Sequence, residues 1–266
     1  MSAGGTIDVF QCNDCGLVRL SEVMDEPDEF YRNSGMRDGY ADSLEALRRE
    51  TKDDDERRFC FTEKLIINKR ILDFGCGDGG YLLRAKAVAH EVCGVELECS
   101  VRENLRAEGL ACYERINEVG EMDVVTMFHV LEHLPDPVGM LQEIMKHITP
   151  GGMLIVEVPN ADDALLSLYH CEAFADFTYW KCHIYLYTMD TLRRLAKKAG
   201  LQVKFMRQVQ RYSLENHLYW LSQGKPGGHF RWGFMANDAL NQQYEMTLAN
   251  WGIADTIVCG LVKYEA

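Results

Sequence analysis

The chain has 266 residues, 47% of them apolar, enough for one large domain or a core with an appendage. A formal charge of −13 argues against a partner held mainly through its phosphates, so no nucleic acid is expected. No apolar run reaches the ~20 residues that span a bilayer, no basic-then-apolar leader is seen, and most of the ten cysteines sit in apolar patterns, which reads as a cytoplasmic protein with reduced thiols and no membrane partner.

Cys12-x-x-Cys15-Gly16 opens the chain as a knuckle. It offers two ligands where a closed zinc site needs four, and is expected to be a ribbon remnant without metal. Residues 21–64 read as an acidic helical cap with the run Lys52–Arg58 on a solvated face. From Ile71 strands and helices alternate: strand, helix 81–89, strand 91–96, helix 100–108, strand 110–115 and strand 122–128. Asp136-Pro137 supplies an N-cap and a first-turn proline for a helix to about His147. Thr149-Pro-Gly-Gly152 then turns the chain into a strand over 153–158, and 159–186 is a long connection. Thr188 caps a helix over 189–199, followed by strands over 201–209 and 256–263. This pattern predicts an α/β doubly wound, mostly parallel sheet with a final antiparallel strand. Four segments follow: a knuckle and helical cap (1–64), an α/β core (65–212), a helical insert (213–254) and the last strand (255–266).

The stretch Ile71-Leu-Asp-Phe-Gly-Cys-Gly-Asp-Gly-Gly80 carries the chemistry. Asp73 ends a strand, and Gly75, Gly77 and Gly79 form a turn opening a helix, where backbone N–H groups can approach a ligand. Seventeen residues past Gly79, Glu96 ends the next strand and can accept both hydroxyls of a ribose, a device shared with nicotinamide enzymes. With Phe128-His-Val-Leu-Glu-His-Leu-Pro-Asp-Pro137 and Thr149-Pro-Gly-Gly152, the set resembles class I S-adenosylmethionine-dependent methyltransferases. The resemblance is to the branch with ubiquinone-type O-methyltransferases and sugar-tailoring enzymes, and covers about residues 60–205. It implies a Rossmann-like core with S-adenosyl-L-methionine as cofactor. The turn from Asp73 through Gly75, Cys76, Gly77 and Gly79 would hold the methionine part, Glu96 the ribose, and the backbone near Phe128 would lie beside the sulfonium.

His129, Glu132 and His133 follow the fourth core strand at helical spacing, on the edge where open α/β sheets bind ligands. His129 or His183 is the candidate base, with His133 beside them, since histidine titrates near neutral pH. Some relatives place Glu-x-x-Glu-His here with a later histidine and bind a divalent ion; this chain has His129 in place of the first glutamate. His129, Glu132, His133 and His183 would suit zinc better than magnesium. The expectation adopted is no resident metal, with Glu132 and His133 bracing the loop.

In the insert, Lys225, His229 and Arg231 beside glycines, with Arg211 nearby, can form a concavity for a phosphate or sugar nucleotide. The rival reading is a lid or a homodimer contact through Trp220, Phe230 and Trp232. The expected function is methyl transfer to a small polar metabolite, foremost the oxygen of a sugar or sugar nucleotide. Behind it stand N- or C-methylation and O-methylation of a quinol-like phenol. From other classes come a nicotinamide oxidoreductase and a catalytically silent binding protein.

Overall fold

The computed structural model describes residues 7–21, 27–33 and 43–264. Among these, β1 (Val9–Gln11) and β2 (Val18–Leu20) form an antiparallel hairpin around the cysteine knuckle. The core strands are β3 (Arg70–Phe74), β4 (Glu91–Val95), β5 (Ala111–Tyr113), β6 (Met122–Phe128) and β7 (Ile148–Pro159). β8 (Tyr185–Leu186), β9 (Leu201–Val209) and β10 (Thr256–Lys263) complete the set.

The main sheet has the order β5-β4-β3-β6-β7-β10-β9. β3 to β7 pair in parallel, and β10 runs antiparallel to both β7 and β9. The doubly wound sheet with a reversed last strand is therefore present as expected. Strand order reverses at β3, which bonds β4 on one side and β6 on the other, so a crevice opens at its carboxyl end.

Aliphatic side chains face both ways because helices cover both faces. On one side Ile71, Val124 and Ile155 pack with Leu82, Leu105 and Ile66 from the helices Gly80–Ala85, Cys99–Ala107 and Leu44–Ile66. On the other, Leu72, Val125 and Met127 meet Leu141 and Leu192 from Pro137–Lys146 and Met189–Lys198. Capping follows the sequence: the Asp136 carboxylate accepts the Gly139 N–H at 2.9 Å, and Thr188 forms a capping box with Thr191.

Several expectations need correction. The helix after the glycine turn ends at Ala85 rather than Ala89. β7 begins at Ile148, so Thr149–Gly152 lies inside a strand; its register slips opposite Met122 and Val124, with Gly151 at φ +79°. The connection 159–186 holds two short helices, Ala164–Ser167 and Glu172–Thr178, and ends in β8, which pairs with β2 and fastens the knuckle to the core. The largest departure concerns Lys52–Arg58. The 23-residue helix Leu44–Ile66, capped by Ser43, leaves Lys52, Asp53 and Glu56 of this run exposed and turns Asp54, Asp55, Arg57 and Arg58 inward. Asp55 is only 4% exposed, and Arg57 and Arg58 both bond Glu157 at the end of β7. A buried carboxylate needs cations, and this helix supplies them.

Between β9 and β10 lie the helices Leu214–Gln223, Gly228–Arg231 and Asp238–Trp251. Trp220 packs inward on Phe174 and Phe177, whereas Phe230 and Phe234 are more than four-fifths exposed. No helix among the described residues is long and apolar enough to cross a membrane.

Candidate active site

The carboxyl edge of β3 to β6 encloses a cavity of about 560 Å³, within the range of small-molecule sites. Gly75 and Gly77 form one wall, Glu96 and Leu97 the next, and Ile116, Val130 and Tyr31 close it. Gly75 has φ +77°, and a Cβ there would lie 2.5 Å from Val130 Cγ2. Only glycine allows the turn and the loop after β6 to approach this closely.

Glu96 is fixed by backbone donors. Its Oε2 accepts the Gly77 N–H at 3.0 Å and its Oε1 the Glu98 N–H at 2.9 Å. Each oxygen keeps acceptor capacity for a second bond and Glu96 lines the cavity, so the carboxylate is fixed in place for a ribose diol before any ligand arrives.

Of the residues expected at the cofactor, Asp73, Cys76, Gly79 and Phe128 are not among those lining the cavity, and for Phe128 the expected contact is its backbone. Asp73 is buried and accepts a bond from Thr126 Oγ1 at 2.7 Å; burial pushes its carboxyl up to about 7. Cys76 turns away from the cavity, its Sγ 3.8 Å from that of Cys112, over Gly94. Gly79 packs on Leu105 and Leu110 at the start of the next helix. Phe128 stacks edge-on against Tyr81 at 5.0 Å, with the Arg58 guanidinium 4.8 Å from its ring centre. They shape the turn from outside, and for the strand residues Asp73 and Phe128 alternation turns the side chain away from the crevice.

His129 lines the cavity with φ +54°, a left-handed conformation rare for a side chain of this size. Both of its ring nitrogens are engaged. Nδ1 lies 3.2 Å from Glu132 Oε1, and Nε2 lies 3.1 Å from Arg211 Nη1 and 3.3 Å from Glu157 Oε1. Burial and the Arg211 charge push its pKa down, and the bonds to Glu132 and Glu157 more than reverse them, leaving it above the ordinary histidine value.

His133 and His183 are anchored by one nitrogen each. His133 Nδ1 is 2.7 Å from the Cys182 carbonyl and His183 Nδ1 is 2.8 Å from that of Thr178, so each donates there and keeps its Nε2 lone pair. The rings stand 5.0 Å apart, with Tyr31 and Trp180 edge-on to His133. Burial, the main cause, lowers His183 to about 4, so it is neutral at pH 7. Burial works against the charge on Glu132, but the bond from His129 and the neighbouring imidazoles hold its carboxyl down at about 2. Its Oε2 is buried with no hydrogen-bond partner among the described residues.

Donor atoms of Glu132, His133 and His183 lie within 4.8 Å of one another, a set able to hold a divalent ion. His129 falls outside that group.

The expected phosphate cradle does not assemble. Arg211 reaches His129 but is paired with Asp54. Lys225, His229 and Arg231 are exposed on the insert, and the His229 ring meets Asn216 and Tyr212. Asp54, Arg57, Arg58, Tyr31 and Glu157 were not foreseen. Only Glu157 had a readable signal, as a carboxylate inside the aliphatic run Ile155-Val-Glu-Val158.

Comparison with known proteins agrees with this geometry. The methyltransferase-domain family matches residues 36–204. The ubiquinone biosynthesis O-methyltransferase of Thiobacillus denitrificans is 30% identical over 167 residues, 55% of this chain and 70% of the relative. The protein of that name from Hydrogenovibrio crunogenus is 29% identical over 58% of this chain and 73% of its own. Among solved structures, a SAM-dependent methyltransferase from Archaeoglobus fulgidus superposes with a TM-score of 0.54 at 17% identity, over 86% of this chain and 98% of the other.

Proposed function

This chain belongs to the class I S-adenosylmethionine-dependent methyltransferases, and from that premise we propose that it methylates a phenolic oxygen on a quinol-like acceptor. When bound, S-adenosylmethionine supplies an electrophilic methyl on a sulfonium. Gly75, Gly77 and Glu96 would hold it, and the residues of the acceptor edge do the rest.

The observation that carries the reading is the pair of imidazoles beside Glu132, each tied down through Nδ1, with the Nε2 of His133 facing Glu132 Oε1 at 3.8 Å. In this role His183 receives the phenolic proton at Nε2 while the Thr178 carbonyl keeps its Nδ1–H in place. A general base contributes about 10²–10⁴-fold when its pKa lies near the operating pH, and the burial that lowers His183 to about 4 keeps its contribution at the small end. Holding the acceptor oxygen in line contributes on the order of 7–11 kcal/mol. His129, with both nitrogens engaged, serves as a brace rather than as the base. Tyr31 and Trp180 supply aromatic edges for an apolar ring.

A sugar nucleotide, the leading expectation from the sequence, is the weaker candidate. Its diphosphate calls for converging cations, whereas Arg211 is neutralised by Asp54 and the other three basic side chains lie on the insert's surface. Curated relatives near 30% identity carry the name of an O-methyltransferase of ubiquinone biosynthesis, which supports the phenol.

The test offers 4-butylcatechol, UDP-glucose and a primary amine to the protein with methyl-labelled cofactor. Label on the catechol alone is expected. Label on the sugar nucleotide or the amine, with the catechol untouched, would overturn the assignment.

A further inference from the structure

Glu157 ends β7 with a carboxylate 1% exposed. An ionised group so placed persists only when its charge is matched and its lone pairs are filled. Arg57 forks onto it, Nη1 to Oε2 and Nη2 to Oε1, both at 2.9 Å, and Arg58 Nε reaches Oε1 at 2.9 Å. Both arginines come from the helix Leu44–Ile66.

The third partner is His129, held twice. Its main-chain N–H donates to the Glu157 carbonyl at 2.8 Å, and its Nε2 lies 3.3 Å from Glu157 Oε1. On the far side of the ring, Nδ1 meets Glu132 Oε1 at 3.2 Å. Glu157 thus stands at one end of a chain of contacts whose other end is the unpartnered Glu132 Oε2, beside His133 and His183. His129 sits at φ +54°, a backbone conformation that surrounding contacts must impose.

We propose that Glu157 is a positioning residue for methyl transfer. Its carboxylate pins the His129 ring beside the main-chain bond that any residue at 157 would make, and His129 in turn aims Glu132 at the acceptor edge. Through Arg57 and Arg58 it also seats the long helix over that edge. Glu157 does not line the cavity and reaches it only through His129, so changing it leaves the Gly75, Gly77 and Glu96 contacts in place and the cofactor affinity can be read apart from the rate. The inference rests on the reading of Glu132, His133 and His183 as the acceptor-facing group.

The experiment uses the full chain with Glu157→Ala, Glu157→Gln and Arg57→Gln, the last keeping the Arg58 bond. Nitrogen signals of the His129 ring, assigned with His129→Asn, report its placement. Turnover of 4-butylcatechol and the dissociation constant of S-adenosylhomocysteine report function. Glu157→Ala should move the His129 signals and lower kcat at least tenfold, with KM and the homocysteine-cofactor affinity within about twofold of wild type. Glu157→Gln, which still accepts hydrogen bonds, should recover part of the rate. If Glu157→Ala fails to fold, Glu157→Gln and Arg57→Gln must show the same split at smaller size. Unmoved His129 signals with unchanged kcat in a folded variant would overturn the proposal. So would a loss of rate matched by an equal loss of cofactor affinity. A wild-type chain that binds S-adenosylhomocysteine and leaves the catechol unmethylated counts against the phenol instead, and the His129 signals then decide Glu157 alone.

Discussion

Asp54 and Arg211 stand 157 residues apart in the chain and form a two-bond ion pair, with Arg211 Nε 2.9 Å from Asp54 Oδ1. The pair joins the long N-terminal helix to the segment just past β9, beside His129. Burial opposes the Asp54 charge, but Arg211, Arg57 and Arg58 hold its carboxyl far below the usual range.

Losing Asp54 strands the Arg211 charge, whereas losing Arg211 leaves Asp54 with Arg57, 3.0 Å away. Asp54→Asn should destabilise the fold by about 3–5 kcal/mol, Arg211→Met by less, and the double variant by less than their sum. Urea denaturation of the three variants checks this. Full additivity would show that the two groups do not interact.

Glu96 should govern cofactor affinity. Losing a charge-assisted hydrogen bond costs about 1.5–3 kcal/mol, so Glu96→Ala should weaken S-adenosylhomocysteine binding roughly tenfold to a hundredfold. Gly75→Ala should weaken it as well, because its Cβ would meet Val130 at 2.5 Å in a left-handed turn. Titration calorimetry reads both. Wild-type affinity in Glu96→Ala would remove the ribose assignment.

Stability should fall on both sides of a maximum near about pH 5. Glu132, lowered to about 2, and Glu157, held well below its ordinary value, contribute stability present above the unfolded carboxylate range and lost as pH falls through their folded values. Asp73 and Asp163, raised mainly by burial to about 7 and about 8, act in the opposite sense. Their contribution is complete below the unfolded value and is lost as pH rises toward their folded values. Denaturation midpoints at pH 3, 5 and 8 test the signs.

Turnover should survive a chelator. Glu132, His133 and His183 are already held by His129, Cys182 and Thr178, so the cluster keeps its shape without an ion. Rates before and after dialysis against a chelator, then with zinc added back, decide the point. A strict zinc requirement would turn the three residues into a metal site.

The sheet and its crevice were legible in the sequence because strand apolarity, glycine turns and helix caps are local signals. Gly75, Gly77 and Glu96 line the cavity where the spacing put them. Asp73, Cys76 and Gly79 belong to the same glycine-turn motif as Gly75 and Gly77 and Phe128 to the next, yet which way each faces depends on strand alternation for Asp73 and Phe128 and on packing against later elements for Cys76 and Gly79. The acceptor edge was less readable. Arg57 and Arg58 look like surface charges until Glu157, about a hundred residues later, is packed against them. The cations of the insert failed to converge for the same reason: proximity in sequence does not set the direction of a side chain.

On the proposed function, the crevice delivers a methyl group to a phenolic oxygen beside His183. Mass spectrometry of 4-butylcatechol incubated with trideuteromethyl cofactor tests it most directly. The account predicts one deuterated methyl on a catechol oxygen, with the rate cut at least a hundredfold in His183→Asn while S-adenosylhomocysteine still binds. Label fixed to carbon, or an undiminished rate in His183→Asn, would contradict it.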